Sequence, residues 1–352
     1  MKKIALSALT ALSMAACTTT PSIQYTVDAT VNGDFEGLTA SIVDYDNGDK
    51  LDSAVVVNGK AAFAGEIAQG RAVRLQVGNK RLAQFFLEPG NVTIAEDGTA
   101  AGTRLNEVYE AYIAQSDSLR KAFYALKDDT TKAALDQKAL IETQYDALAE
   151  NTYNENASNA IGYLLFINKA YEFDAAQLDS ALAANPTMKE YKRVAKIVDA
   201  FTAQANTSVG KKFTDFEITY ENTTYKLSDY VAKGNYTIVD FWASWCGPCI
   251  RETATLKDIY KKWNGKGLDI LGVAVWDKPE DTLEAIKQHN LPWNCIINGQ
   301  EIPTNLYGIL GIPCILVIDP EGTIVARNVY GDDLKAKINE LLSEKEDEAK
   351  KK

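Results

Sequence analysis

Residues Val239–Ile250 read VDFWASWCGPCI and hold the most closely spaced pair of cysteines in a chain of 352 residues. The apolar run before the cysteines reads as a buried strand, and the long amphipathic segment after them reads as a helix. At such a junction, cysteines three residues apart fall nearly one turn apart on the same side of the helix. That spacing suits a disulfide, whose Cα atoms must lie within about 4.4–6.8 Å. Cys246 stands at the helix N-terminus, where unpaired amides and the dipole favour a thiolate, so it is the candidate nucleophile. Cys249, one turn inside and less exposed, is placed to resolve a mixed disulfide by attacking Cys246. Pro248 fits because the first turn needs no internal N–H donor.

A Cys-x-x-Cys can also be half of a zinc site, but such a site needs two further sulfur or nitrogen ligands. The chain has no second Cys-x-x-Cys and one histidine, His289. No metal is therefore expected, and the lone histidine also argues against a Ser-His-Asp hydrolase. His289, at the end of a helical segment, reads as a C-terminal residue that favours the dipole. The chain has five cysteines, too few for a disulfide-stapled scaffold, so apolar burial must hold the core and the close pair is free for chemistry.

Working outward, residues 209–343 alternate strand and helix, with TIVDFWAS and LDILGVAVW as strands, PEDTLEAIKQHN and DDLKAKINELLSE as helices and CILVIDPEGTIVARNVYG as a hairpin. This predicts a sheet with helices on both faces. Residues 344–352 read as a charged, frayed tail. Residues 25–102 are short, β-branched and broken by turns, with Asn58-Gly59 as a hairpin signal and Pro89-Gly90 as a second turn. They read as an all-β domain. Residues 103–208 have helical spacing, with Val108, Tyr112, Leu119, Phe123 and Leu126 on one face, and Asn185-Pro186 breaks the pattern between helices.

The formal charge of −11, with acids and bases interspersed, leaves no basic stripe for nucleic acid. Residues 1–16 have two lysines followed by an apolar stretch too short to span a bilayer, which reads as an export signal. Ala15 and Ala16 before Cys17 resemble a bacterial lipobox, which implies lipidation at Cys17, residues 17–24 as a tether and a periplasmic protein anchored to a membrane as a lipoprotein.

The residues VDFWASWCGPC resemble the active-site strand and turn of thioredoxins, and GIPCILVIDPEGTIV resembles their cis-proline loop and hairpin. The run from Val209 to Leu342 is similar to the membrane-anchored TlpA/ResA-like thiol–disulfide oxidoreductases. The resemblance implies a multidomain chain: a β-rich domain, a helical region and a C-terminal α/β thioredoxin fold. It implies Cys246 as attacking thiolate, Cys249 as resolving cysteine and Pro313 as the cis-proline facing them. Ile312 would offer its backbone to an extended substrate segment, with Trp245, Gly247 and Pro248 beside it. Trp242 reads equally as a flank of the thiols and as core. Asp240 stands where thioredoxins keep a buried carboxylate; burial would raise its pKa and let it accept a proton from Cys249, whereas a solvated strand-end aspartate would do neither. Two departures stand out. Ala254 occupies the place of a kinking proline, and Cys314 replaces the threonine common after the cis-proline, as a buried thiol or as a participant in exchange. Cys295 is expected on the other edge of the sheet, without a bridge to Cys314.

The expected function is disulfide reduction or isomerisation in protein substrates, with no cofactor beyond the redox-active Cys246–Cys249 disulfide. Gly-Pro between the cysteines resembles reducing thioredoxins, with potentials near about −270 mV, so net reduction is expected, fed by an electron donor across the membrane. The alternative is a peptide- or glycan-binding lipoprotein with an incidental thioredoxin domain. A peroxidase is weaker, because the chain has no Pro-x-x-x-Thr-x-x-Cys.

Overall fold

The computed structural model describes residues 23–351. The export signal of residues 1–16 and Cys17 lie outside the described residues. The chain divides into two compact units, one ending at Asn168 and the other running from Lys169.

The first unit opens with eight strands: β1 (Ile23–Thr30), β2 (Thr39–Asp44), β3 (Lys50–Val55), β4 (Lys60–Ile67), β5 (Arg71–Val77), β6 (Lys80–Leu87), β7 (Gly90–Ile94) and β8 (Ala100–Ala101). They form two four-stranded sheets, ordered β4-β1-β7-β8 and β3-β2-β5-β6. In β1 the even burial of Tyr25, Val27 and Ala29 is the period of a strand with one covered face. These residues share one apolar core with Ile42 of β2 and Val73, Leu75 and Phe85 of β5 and β6, so the two sheets are packed face to face.

The hairpin expected at Asn58-Gly59 forms only as a turn. Both residues take positive φ, and Val57 and Lys60 pair across them. The strands they join nonetheless belong to different sheets, since β3 pairs with β2 and β4 pairs with β1. A two-residue turn sets the pair that flanks it, while burial of each strand's apolar face decides its partner.

Helices follow: α1 (Arg104–Ala125), α2 (Lys132–Asn156), α3 (Ala160–Ala170), α4 (Ala175–Ala184) and α5 (Lys192–Asn206). The apolar stripe read on α1 is half-buried, and the buried line is Leu105, Asn106, Tyr109 and Ser116. The N-terminal half of α1 packs on β6 and β8, where the Asn106 amide accepts from Phe86 N–H and donates to its carbonyl oxygen, both at 2.9 Å. A polar side chain satisfied on both sides is buried at little cost, so it takes a place that hydrophobicity assigns elsewhere. The helical pattern across residues 139–171 breaks between α2 and α3, where Asn159 Oδ1 accepts from Ile161 N–H at 2.9 Å.

The second unit continues with β9 (Glu217–Tyr220), β10 (Thr223–Lys226), β11 (Tyr236–Trp242), α6 (Gly247–Trp263), β12 (Leu268–Ala274), α7 (Pro279–Gln288), β13 (Asn294–Ile296), α8 (Ile302–Tyr307), β14 (Cys314–Ile318), β15 (Ile324–Arg327) and α9 (Gly331–Lys351). A five-stranded sheet is ordered β13-β12-β11-β14-β15, parallel through its first three strands and antiparallel from β11 to β15. Its strand β11 is buried almost throughout, as a central strand covered on both faces must be. One face, through Ile238, Ile270 and Val317, packs on Leu256 and Ile259 of α6 and on Leu334 and Ile338 of α9. The other, through Val239, Phe241 and Leu316, is closed by Phe216, by Ile218 of β9, by Leu227 and by Tyr307 of α8. Helices thus lie on both faces as expected, the second face carrying a hairpin and the six-residue helix α8 and the first the longer α6 and α9. Helix α9 runs on into the segment read as a frayed tail; its Glu, Lys and Ala are strong helix formers.

Candidate functional site

The site is built where β11 ends. The chain turns through Ala243–Trp245, closed by Cys246 N–H to the Ala243 carbonyl oxygen at 3.1 Å, and enters α6 with Pro248 in its first turn. Cys246 is the N-cap, and its Sγ accepts from Cys249 N–H at 3.2 Å. A first-turn amide is thus aimed at this sulfur, a placement that favours a thiolate there. Cys246 and Cys249 are joined in a disulfide with Cα atoms 5.3 Å apart. Both sulfur-bearing residues are buried, Cys249 more completely.

The Ile312–Pro313 peptide bond is cis, and the Ile312 carbonyl oxygen lies 3.7 Å from Cys246 Sγ. Ile312 packs on the cluster formed by Trp242, Ala243, Cys246, Cys249 and Ala285. Trp242 is therefore core and packs directly against the cysteine pair. Trp245 lies at the rim, 61% exposed, with its indole Nε1 donating to the Trp276 carbonyl oxygen at 3.0 Å. Gly247 and Pro248 are exposed beside it.

Asp240 is 2% exposed, in register with Gly272 on β12 and Ile315 on β14. Its Oδ1 is buried without a hydrogen-bond partner among the described residues. Burial pushes its carboxyl up to about 7, and the Glu252 carboxylate adds to the effect by disfavouring a second negative charge. Glu252 is held in turn by Gly331 N–H at 2.8 Å. The solvated reading of Asp240 does not hold.

The two remaining described cysteines are unpaired and lie on different strands, Cys295 on β13 and Cys314 on β14, with β12 and β11 between them. Burial pushes the Cys314 thiol up to about 11 and the Cys295 thiol up to about 12. Cys314 is buried in the core on the Val239 and Phe241 face, while the disulfide packs with Trp242. Among the described residues no group of three or more His, Cys, Asp or Glu can hold a metal ion. His289 follows α7 and donates its N–H to the Ala285 carbonyl oxygen at 2.9 Å.

Two residues at the site escaped the sequence reading. Glu252 was visible, three residues after Cys249 on the same helix, but its approach to Asp240 is a tertiary contact. Tyr330 gave no signal at all. Its hydroxyl donates to the Pro313 carbonyl oxygen at 2.9 Å, and burial keeps it protonated by pushing it up to about 12. It ties the loop carrying Ile312 and Pro313 to the start of α9.

Residues 209–327 match the family model AhpC/TSA, and residues 25–109 match a domain of unknown function (DUF4369). The thiol-disulfide oxidoreductase ResA of Bacillus thuringiensis subsp. konkukian is 28% identical over 145 residues, covering 40% of this chain and 81% of its own. ResA of Bacillus subtilis is 25% identical over 146 residues, covering 41% of this chain and 79% of its own. Among solved structures, the thioredoxin domain of a thiol-disulfide oxidoreductase from Bacteroides vulgatus is 31% identical, covers 38% of this chain and 98% of its own and superposes with a TM-score of 0.35. A thiol-disulfide oxidoreductase from Bacteroides fragilis is 30% identical, with 37% and 99% covered and a TM-score of 0.34.

Proposed function

We propose that this chain, whose residues 209–327 belong to the AhpC/TSA family as a thioredoxin-like domain related to the ResA thiol-disulfide oxidoreductases, reduces or isomerises disulfides in protein substrates. The observation that carries the reading is the Cys246–Cys249 disulfide at the mouth of α6, with Cys249 N–H aimed at Cys246 Sγ.

In the reduced chain the Cys246 thiolate attacks one sulfur of a substrate disulfide. A Cys246–substrate bond forms and the second substrate sulfur leaves as a thiolate. Cys249 then gives its proton to Asp240 and attacks Cys246 Sγ, which restores the Cys246–Cys249 bond and releases the first substrate sulfur. Two electrons pass from the chain to the substrate, and its two sulfurs leave as thiolates that take protons from water or from Asp240. Asp240, with a pKa near neutrality, is matched to taking up a proton at this step. The cis Ile312–Pro313 segment beside Cys246 presents backbone for pairing with an extended substrate, and Trp245, Gly247 and Pro248 supply an exposed rim.

The two electrons must be restored by a donor, which we place across the membrane. Export through residues 1–16 and lipidation at Cys17 would anchor the chain on the extracytoplasmic side. Among the described residues no helix is long and apolar enough to cross a membrane.

Trapping tests the reading. A Cys249→Ser variant is expected to accumulate a mixed disulfide between Cys246 and a protein substrate, seen as an adduct by intact mass. Cys246→Ser is expected to form none, and an adduct on that variant contradicts the assigned roles. Equilibration with glutathione tests direction: a potential near about −270 mV supports net reduction, and one near about −120 mV removes it.

A further inference from the structure

The four residues between β11 and α6 end on Cys246, yet a short turn alone does not hold them. Outside contacts converge on Ser244 and Trp245 from the segment after β12. Asp277, 6% exposed, accepts from Ser244 N–H at 2.7 Å and from the Ser244 hydroxyl at 3.0 Å. The same carboxylate accepts from Lys278 N–H at 3.0 Å and from the Thr282 hydroxyl of α7 at 2.9 Å. Each of its oxygens thus takes two donors. On the backbone, the Trp276 carbonyl oxygen receives the Trp245 indole, and the Asp277 carbonyl oxygen receives Gln300 Nε2 at 2.6 Å. Trp276 itself sits at φ 53°, a conformation that a bulky residue keeps only when its surroundings hold it there.

We infer that Asp277 is a positioning residue for thiol exchange: together with the Trp276 carbonyl it clamps Ser244 and Trp245, and so sets where Cys246 stands at the N-terminus of α6. The inference rests on the oxidoreductase reading. Hydrogen bonds to a buried carboxylate are strong, and two of the four restrain the residue two positions before Cys246. If the turn loosens, Cys246 Sγ drifts from Cys249 N–H and the thiolate loses its donor. The competing role is that Asp277 only caps α7, to which its bonds with Lys278 and Thr282 belong.

The test uses the full chain after reduction of the disulfide, with two probes: alkylation of Cys246 by iodoacetamide at neutral pH, and reduction of oxidised glutathione. Asp277→Ala is expected to slow both by about tenfold to a hundredfold, as a misplaced reacting group does. The sign separates the causes, because removing a nearby negative charge would by itself favour the thiolate and speed alkylation. Thr282→Val, which cuts only the α7 side of the carboxylate, is expected to leave both rates close to the parent's. If Asp277→Ala fails to fold, Asp277→Asn and Ser244→Ala carry the test, each with a smaller slowing. The assignment is overturned if Asp277→Ala reacts as fast as the parent or faster, if it slows no more than Thr282→Val, or if both fallback variants keep parental rates. A parent chain that fails to reduce glutathione would instead refute the oxidoreductase reading, and the alkylation rates alone would still decide the clamp.

Discussion

A carboxyl group pushed up to about 7 inside a sheet is a stability cost as well as a proposed proton acceptor. The ordinary value for aspartate is 3.8, so between about pH 4 and pH 7 the folded chain holds at Asp240 a proton that the unfolded chain has released. Stability from this group is therefore lost as pH rises through that window and stays lost above it. The shift amounts to about 4 kcal/mol. In the oxidised chain, Asp240→Asn should gain up to about that much at pH 8 and almost nothing at pH 4, which urea unfolding at the two pH values will measure; an equal gain at both contradicts the burial argument. The same substitution should slow resolution of the mixed disulfide by about a hundredfold, the usual scale for loss of a general base. Glu252→Gln removes the second cause of the Asp240 shift, so the pH profile of resolution should move to lower pH, read by stopped-flow mixing. At this scale the sequence shows what one local motif contains: Cys246, Cys249 and Asp240, the residues proposed to react, all lie within ten residues of one another. Glu252, Tyr330 and Asp277 matter through partners far along the chain, and no local pattern marks them.

Elements differ in what dictates them. Helix α6 follows from its N-cap, its proline and its apolar spacing, all written in adjacent residues. The pairing of β3 and β4 with different sheets does not follow from the Asn58-Gly59 turn between them, because each strand joins whichever sheet buries its apolar face. The docking of α5 on α8 is also a tertiary matter. Gly308 ends α8 at φ 61°, and a Cβ there would lie 2.0 Å from the Ala200 carbonyl oxygen. The Gln204 side chain donates to the Gly308 carbonyl oxygen at 2.7 Å. Gly308→Ala must force two backbones apart and also keep a left-handed alanine, at a cost of about 2–4 kcal/mol. A clear drop in the urea midpoint is the expected outcome; an unchanged midpoint would show that α5 is not seated there.

At the scale of the molecule, the second unit begins well before the α/β alternation. Arg327 of β15 donates to the Thr207 carbonyl oxygen at 3.3 Å and to the Tyr307 carbonyl oxygen at 2.7 Å, which binds the end of α5 to the sheet and to α8. A fragment of residues 209–352 loses the first bond and uncovers α8, whereas one of residues 169–352 keeps both. The longer fragment should melt at the higher temperature in calorimetry, and equal melting temperatures would show that α5 adds nothing to this unit. The reason lies in burial: a short helix such as α8 closes its face of the sheet only when something covers its own outer side.

The sequence by itself determined the cysteine motif and the periods. Two cysteines at helical spacing, a proline after the first and a strand before them are local facts, and local facts dictate a cap, a disulfide and the succession of β-rich, helical and α/β segments. Tertiary structure alone decided which strands share a sheet, which face α8 closes, and that Asp277 and Glu252 stand beside the reactive turn. Those outcomes depend on burying side chains far apart in the chain, and burial is a property of the packed whole that no window of sequence contains.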